Sequence, residues 1–201
     1  MIDYQKDRLL SYAELAELVT AQLPDDEDFI IVAESFGGPI AYLIAKNAPQ
    51  HLKFVVYAAS YIDSPNKLLL KFRFILPLIF KLSARLPDKI LNLALLGGMG
   101  SLAHIHKLKA LLLGFPVSLF SHRLNELARL SMPLDKTDVK AIYIRPRSDY
   151  LVTDSGYLSV AKWHKAVHRI ETEGTHFLFQ SNPLACAKII KTELKKLKPD
   201  N

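Results

Sequence analysis

Cysteine is nearly missing from this chain: Cys186 is the only one in 201 residues. One thiol cannot close an intramolecular disulfide, and it removes any cysteine-cluster metal site. Disulfide-free chains are the rule in reducing compartments, so the expectation is a cytoplasmic protein. Glycine and proline are sparse, at 8 and 11 residues, too few for a collagen-like or linker-like polymer. Residues Met1 to Arg8 are polar and hold no secretory h-region. The longest uncharged run, Ile90 to His106, is broken by Gly97-Gly98-Met99-Gly100. Phe74 to Phe80 is too short for a bilayer that needs about 20 apolar residues. Neither G-x-G-x-x-G nor G-x-x-x-x-G-K-[ST] occurs, which removes the two commonest nucleotide-phosphate signatures. Internal repeats and low-complexity tracts are absent too.

What is present is apolar and unevenly charged. Hydrophobic residues make up 50% of the chain, enough for a core, and the length fits one domain with an insertion. The net charge is +6. Between Asn66 and Ser131 there are ten basic side chains and two acidic ones, Asp88 and Glu126, a balance of +8. The remainder of the chain sums to −2. A solvated helical face explains such a bias; so do nucleic acid, anionic lipid or an acidic partner. The basic residues alternate with leucines rather than stacking aromatics, which argues against nucleic acid.

Ser11-Tyr12-Ala13-Glu14 is a capping box, and Leu15, Leu18, Val19 and Leu23 follow at helical spacing, so a helix is expected from Ser11 to Gln22. Phe29 to Ala33 is continuously apolar, as in a parallel strand buried on both faces. Pro39 to Asn47 reads as the next helix. Phe54 to Ala58, Val139 to Ile144 and His168 to Thr172 read as further strands, with helices at Ser155 to Val167 and at Pro183 to Leu197, the last capped by Asn182. Strand–helix alternation predicts an α/β fold with a parallel sheet. Asn66 to Ser131 breaks the rhythm. It is expected to form three or four short helices, with stops at Pro77, Pro87, Gly97 to Gly100 and Gly114 to Pro116, set over the carboxyl end of the sheet.

Ala33-Glu34-Ser35-Phe36-Gly37-Gly38 lies between a predicted strand and a predicted helix, the setting of a nucleophile elbow. Small residues two before and two after a serine let the chain turn sharply. The helix N-terminus and the Phe36 amide then favour negative charge beside the hydroxyl. A phosphate-binding turn or plain packing would use the same residues. A nucleophilic serine also needs a base, and the base an orienting acid. Asp149 and His176 each follow a predicted strand, in the order serine, acid, histidine. The other histidines lack such company. His104 and His106 are two apart and share no helix face for a metal. His164 and His168 are four apart without a third ligand, and solvated side chains are expected there.

These segments together resemble the α/β-hydrolase family. Ala33-Glu34-Ser35-Phe36-Gly37-Gly38-Pro39 resembles its elbow, with Ala33 in place of the first glycine. Asp149 before Tyr150-Leu151-Val152 resembles its acid loop. Gly174-Thr175-His176-Phe177-Leu178, with Asn182-Pro183 and a final helix, resembles its histidine segment. The resemblance covers residues 1–60 and 132–201. It implies a parallel-sheet core over 1–65 and 132–201, and a helical cap over 66–131. In that family Ser35 would be the nucleophile, His176 the general base and then acid, and Asp149 its orienting partner. Phe36 would supply an oxyanion N–H. The implied reaction is hydrolysis of an ester or related acyl bond on a small hydrophobic substrate, with no cofactor and no metal.

One departure is large. Met1 to Tyr4 looks like the tail of the family's fourth strand, so its first three strands and the loop giving the second oxyanion N–H have no counterpart. Losing one such donor typically costs about 10²–10³ in rate, and it exposes an edge of the Phe29 to Ala33 strand to self-association. A non-catalytic or fragmentary relative, binding a ligand, a partner or a membrane, is therefore the alternative. Lys67 to Leu82 bears on this. It mixes leucine, isoleucine and phenylalanine with Lys71, Arg73 and Lys81, and is expected to pack its apolar side on the core, with peripheral membrane contact as the other outcome.

Overall fold

Described over residues 8–65, 68–132 and 135–196 by a computed structural model, the chain forms its first helix, α1 (Tyr12–Thr20), behind the capping box. The Ser11 N–H donates to Glu14 Oε2 at 2.8 Å, and the Glu14 N–H donates to Ser11 Oγ at 3.3 Å. Expectations placed on Met1 to Tyr4, Lys67 and Leu197 lie outside the described residues.

Among the described residues four parallel strands follow: β1 (Phe29–Glu34), β2 (Leu52–Ala58), β3 (Lys140–Ser148) and β4 (Val167–Thr175), in spatial order β1-β2-β3-β4. The alternation of a pleated strand sorts their side chains into two layers. Val55, Tyr57, Ala141 and Tyr143 face α2 (Gly37–Lys46) and α7 (Asp154–Trp163). Phe54, Val56, Ile142 and Ile144 face α8 (Leu178–Ser181) and α9 (Pro183–Lys195). Helix α1 packs on the outside of α2 through Leu15, Val19, Ile40 and Ile44. The chain is thus an α/β fold with a parallel sheet whose two central strands are covered by helices on both faces.

The expectations for β1 and for the helix that became α7 need correction. Strand β1 is not buried on both faces: Val32 is 43% exposed. Among the described residues β1 pairs with β2 alone, and the α8–α9 layer sits over β2 and β3. The helix expected through Val167 ends at Trp163, and His164 takes up extended backbone. His164 is consequently buried, not solvated. Its Nδ1–H donates to the Val139 carbonyl at 2.7 Å, and its Nε2 accepts from the Tyr57 hydroxyl at 2.8 Å. His168 is exposed.

The segment between β2 and β3 is helical, with a short 3₁₀ turn (Leu69–Phe72) and then α3 (Leu76–Ser83), α4 (Asp88–Leu96), α5 (Leu102–Gly114) and α6 (Val117–Ala128). Pro77 is no stop; it occupies the first turn of α3, where its missing N–H costs nothing. Pro87 precedes α4, and Gly97 ends it with left-handed backbone at φ 60°. Helix α3 divides its apolar side chains. Leu76, Pro77 and Phe80 face a cavity below, whereas Leu78 and Leu82 point to solvent.

Candidate active site

Three strands end at one place. Ser35 follows β1, Asp149 follows β3 and His176 follows β4, so the parallel sheet carries all three to its carboxyl edge. Ser35 has φ 49°, a left-handed conformation that is costly for a serine. It is held there by a hydrogen bond from its N–H to the Ala58 carbonyl at 3.1 Å and by the Ser60 hydroxyl, which donates to the Ser35 carbonyl at 2.7 Å. The turn also needs Gly38. A Cβ at that position would lie 2.1 Å from the Tyr61 carbonyl oxygen, a backbone atom that cannot swing away.

The Ser35 hydroxyl donates to His176 Nε2 at 2.7 Å, and His176 Nδ1–H donates to Asp149 Oδ2 at 3.0 Å. These roles follow from the acceptor-only carboxylate, which requires the proton on Nδ1. Asp149 Oδ1 accepts from the Leu151 and Val152 N–H groups, each at 2.9 Å. The Asp149 side chain is fully buried, with Oδ1 held by these two amides and Oδ2 facing His176. Gly174, with φ 148°, bends the end of β4 so that His176 follows directly. All three residues singled out in the sequence are therefore linked in one chain of hydrogen bonds.

Phe36 is the N-cap residue of α2, so its N–H lies among the unpaired donors at a helix start, next to Ser35. Its ring is gripped on two sides. Tyr12 of α1 stacks on it with centroids 4.7 Å apart, and the Arg123 guanidinium of α6 sits 5.0 Å from its centre. The helical segment thus touches the residue adjoining Ser35.

Glu34 was not legible as part of this site. Its Oε1 accepts from the Phe179 N–H at 3.1 Å, tying β1 to the short helix α8 just after His176. Burial pushes its carboxyl up from the ordinary glutamate range, outweighing the amide hydrogen bonds and the nearby His176 that favour the charge. Nothing in the local sequence signals this contact, because it depends on which strand face meets α8.

A cavity of about 550 Å³ opens above Ser35 and His176. Its walls come from the core (Tyr61, Leu151, Val152) and from the helical segment (Leu76, Phe80, Leu108, Leu124). The walls are almost wholly apolar; Lys81 and Arg123 are the cationic side chains among them. Among the described residues no group of three His, Cys, Asp or Glu side chains is placed to hold a metal. Cys186 lies apart from the cavity, buried under the sheet, with its thiol pushed up to about 11 by burial and by Glu34.

No protein-family model and no curated protein matches the chain. Solved structures do. An alpha/beta hydrolase enzyme from a Medee basin deep-sea metagenome library superposes with a TM-score of 0.66 at 17% identity, over 97% of this chain and 76% of that one. An esterase from Rhodococcus sp. ECU1013 gives 0.69 at 13% identity, over 98% and 76%. The 2-hydroxy-6-oxo-6-phenylhexa-2,4-dienoate hydrolase from Rhodococcus sp. strain RHA1 gives 0.67 at 15% identity, over 92% and 70%. This chain has the α/β-hydrolase fold. At such identities the likeness is one of architecture, and it extends over the helical segment as well as the sheet.

Proposed function

We propose that the chain is a serine hydrolase that cleaves an ester or related acyl bond of a small hydrophobic substrate. The observation that carries this reading is the unbroken Ser35–His176–Asp149 hydrogen-bond chain, 2.7 and 3.0 Å long, at the floor of an apolar cavity. In the proposed reaction Ser35 Oγ attacks the acyl carbon while His176 Nε2 takes its proton. Asp149 holds the imidazole in the required tautomer and stabilises the imidazolium. The oxyanion that forms lies beside the Phe36 N–H at the start of α2. Collapse expels the alcohol, which takes the proton from His176, and leaves an acyl-Ser35 ester. Water, deprotonated by His176, then attacks that ester; the proton returns to Ser35 and the carboxylic acid departs.

Residues 66–131 act in this proposal as a cap over a core of 1–65 and 132–201, excluding water from the reacting bond. A cytoplasmic location is part of the same proposal, supported by the lone free cysteine. No helix among the described residues is long and apolar enough to cross a membrane.

Turnover of p-nitrophenyl esters tests the reading. The expected result is measurable hydrolysis by the wild type and a fall of about 10⁴ or more in Ser35→Ala and His176→Ala. Folded wild-type protein with no turnover of any acyl length would support the non-catalytic alternative instead.

A further inference from the structure

The outer face of α3 runs against the usual order of a surface helix. Ile75, Leu78, Ile79 and Leu82 stand at i, i+3, i+4 and i+7, the spacing of a stripe that ordinarily faces a core. Here the stripe faces out. Exposure runs from 48% at Leu82 to 75% at the neighbouring Phe74. Single exposed leucines are commonplace, but a contiguous apolar stripe marks a contact surface. The opposite side of the same helix is satisfied, since Pro77 is buried and Phe80 packs edge-on against Phe120 at 4.9 Å.

Charge identifies what meets this stripe. Lys71, Arg85 and Lys89 flank it in the chain, are exposed, and make no ion pair among the described residues. They belong to the segment that carries ten basic and two acidic side chains. One of those two carboxylates, Asp88, is already taken by Lys109 at 2.5 Å. Arg73 and Lys81 are differently employed. Arg73 donates to Asn125 at 2.9 Å, and Lys81 lines the cavity. A second copy of this face would bring like charges together across a two-fold axis, which disfavours a dimer. A surface that is both apolar below and negatively charged above suits it. We propose that this face of the cap docks on an anionic lipid bilayer, with α3 lying in the interface rather than across it. Ile79 is 51% exposed and also lines the cavity, so the docked face adjoins the cavity mouth.

Docking does not depend on hydrolysis, so it is tested with the full chain in both wild-type and Ser35→Ala form. The probe is sedimentation with vesicles of phosphatidylcholine alone or mixed with phosphatidylglycerol, at low and high salt. Both forms are expected to bind the mixed vesicles more tightly, with binding weakened by salt. Replacing Lys71, Arg85 and Lys89 by glutamate should weaken binding by at least about a hundredfold, taking fivefold for each of the three positive charges lost, with the three carboxylates gained adding to the loss. Replacing Ile75, Leu78 and Leu82 by serine, each about half exposed, should weaken it by about tenfold or more. Circular dichroism and thermal melting of each variant check that it folds. Equal binding to both vesicle types, or binding that both triple variants retain, overturns the proposal. So does self-association without vesicle binding that the serine variant abolishes, which would make the stripe a contact between copies.

Discussion

Glu34 is an acidic side chain that burial works against and hydrogen bonding retains. Its carboxyl is raised because burial outweighs the Phe179 amide, the His176 ring and the other donors around it. A carboxyl raised in the folded state contributes most below the ordinary value of 4.5 and loses that contribution as pH rises through its folded value. At neutral pH, then, the charge itself is a cost, while the acceptor is an asset. Glu34→Gln keeps an acceptor for the Phe179 N–H and removes the charge. Its melting temperature should climb relative to wild type as pH rises from 4 towards 8, on the order of a few degrees. Glu34→Ala keeps neither, and leaving that buried N–H unpaired should destabilise the protein by about 1–3 kcal/mol. Thermal melts of the two variants across pH separate the effects; identical pH dependence in Glu34→Gln and wild type would contradict the account. The residue stands one place before Ser35, yet its partner lies 145 positions away. Only the tertiary register of β1 against α8 brings them together, and no local pattern encodes that.

Elements that build the site announce themselves unequally. The capping box of α1 and the elbow between β1 and α2 were legible because each is a local geometric requirement written in adjacent residues. The order serine, acid, histidine was legible because each member directly follows a strand. Strand β3 was underestimated. It runs on through Pro146 to Ser148, beyond a residue that ordinarily ends a strand. Pairing with β2 stops at Ile144, so past that point β3 has only β4 beside it, and a proline's missing N–H is tolerated on the free side. His164 was misread for a related reason. Spacing set it on a helix face with His168, but the helix ends one residue earlier and the ring turns in to join Tyr57 of β2 to Val139 before β3. Burial lowers the pKa of His164 from the ordinary 6.5, with the Val139 hydrogen bond opposing. A depressed base contributes stability above its unfolded value and loses it as pH falls below 6.5 towards the folded one. The urea midpoint of wild type should therefore drop on acidification from neutral pH, and His164→Gln should lack that part of the drop. A variant with the full wild-type slope would show that another group is responsible.

At the scale of the whole molecule, the helical segment between β2 and β3 and the carboxyl edge of the sheet share one apolar chamber, and its shape is the least legible feature. The sequence places a leucine-rich helical segment between the second and third strands, but which leucines turn inward follows from how α3, α5 and α6 settle on the carboxyl edge of the sheet. Leu124 of α6 is one of those that line the chamber. A tryptophan there should shorten the space above Ser35, raising KM for long-chain p-nitrophenyl esters by about tenfold while leaving acetate esters nearly unchanged. An equal loss on short and long chains would contradict the role given to the chamber. The central claim, that Ser35 is a nucleophile activated through His176 and Asp149, rests on one geometry and is open to one direct measurement. A fluorophosphonate probe reacts with a serine only when its hydroxyl is activated. Intact-mass and peptide analysis of the labelled wild type should show one phosphonyl adduct, on Ser35, formed quickly near neutral pH and lost in Ser35→Ala and His176→Ala. Folded wild type that takes up no label, or takes it up elsewhere while Ser35→Ala labels as well, would contradict the account.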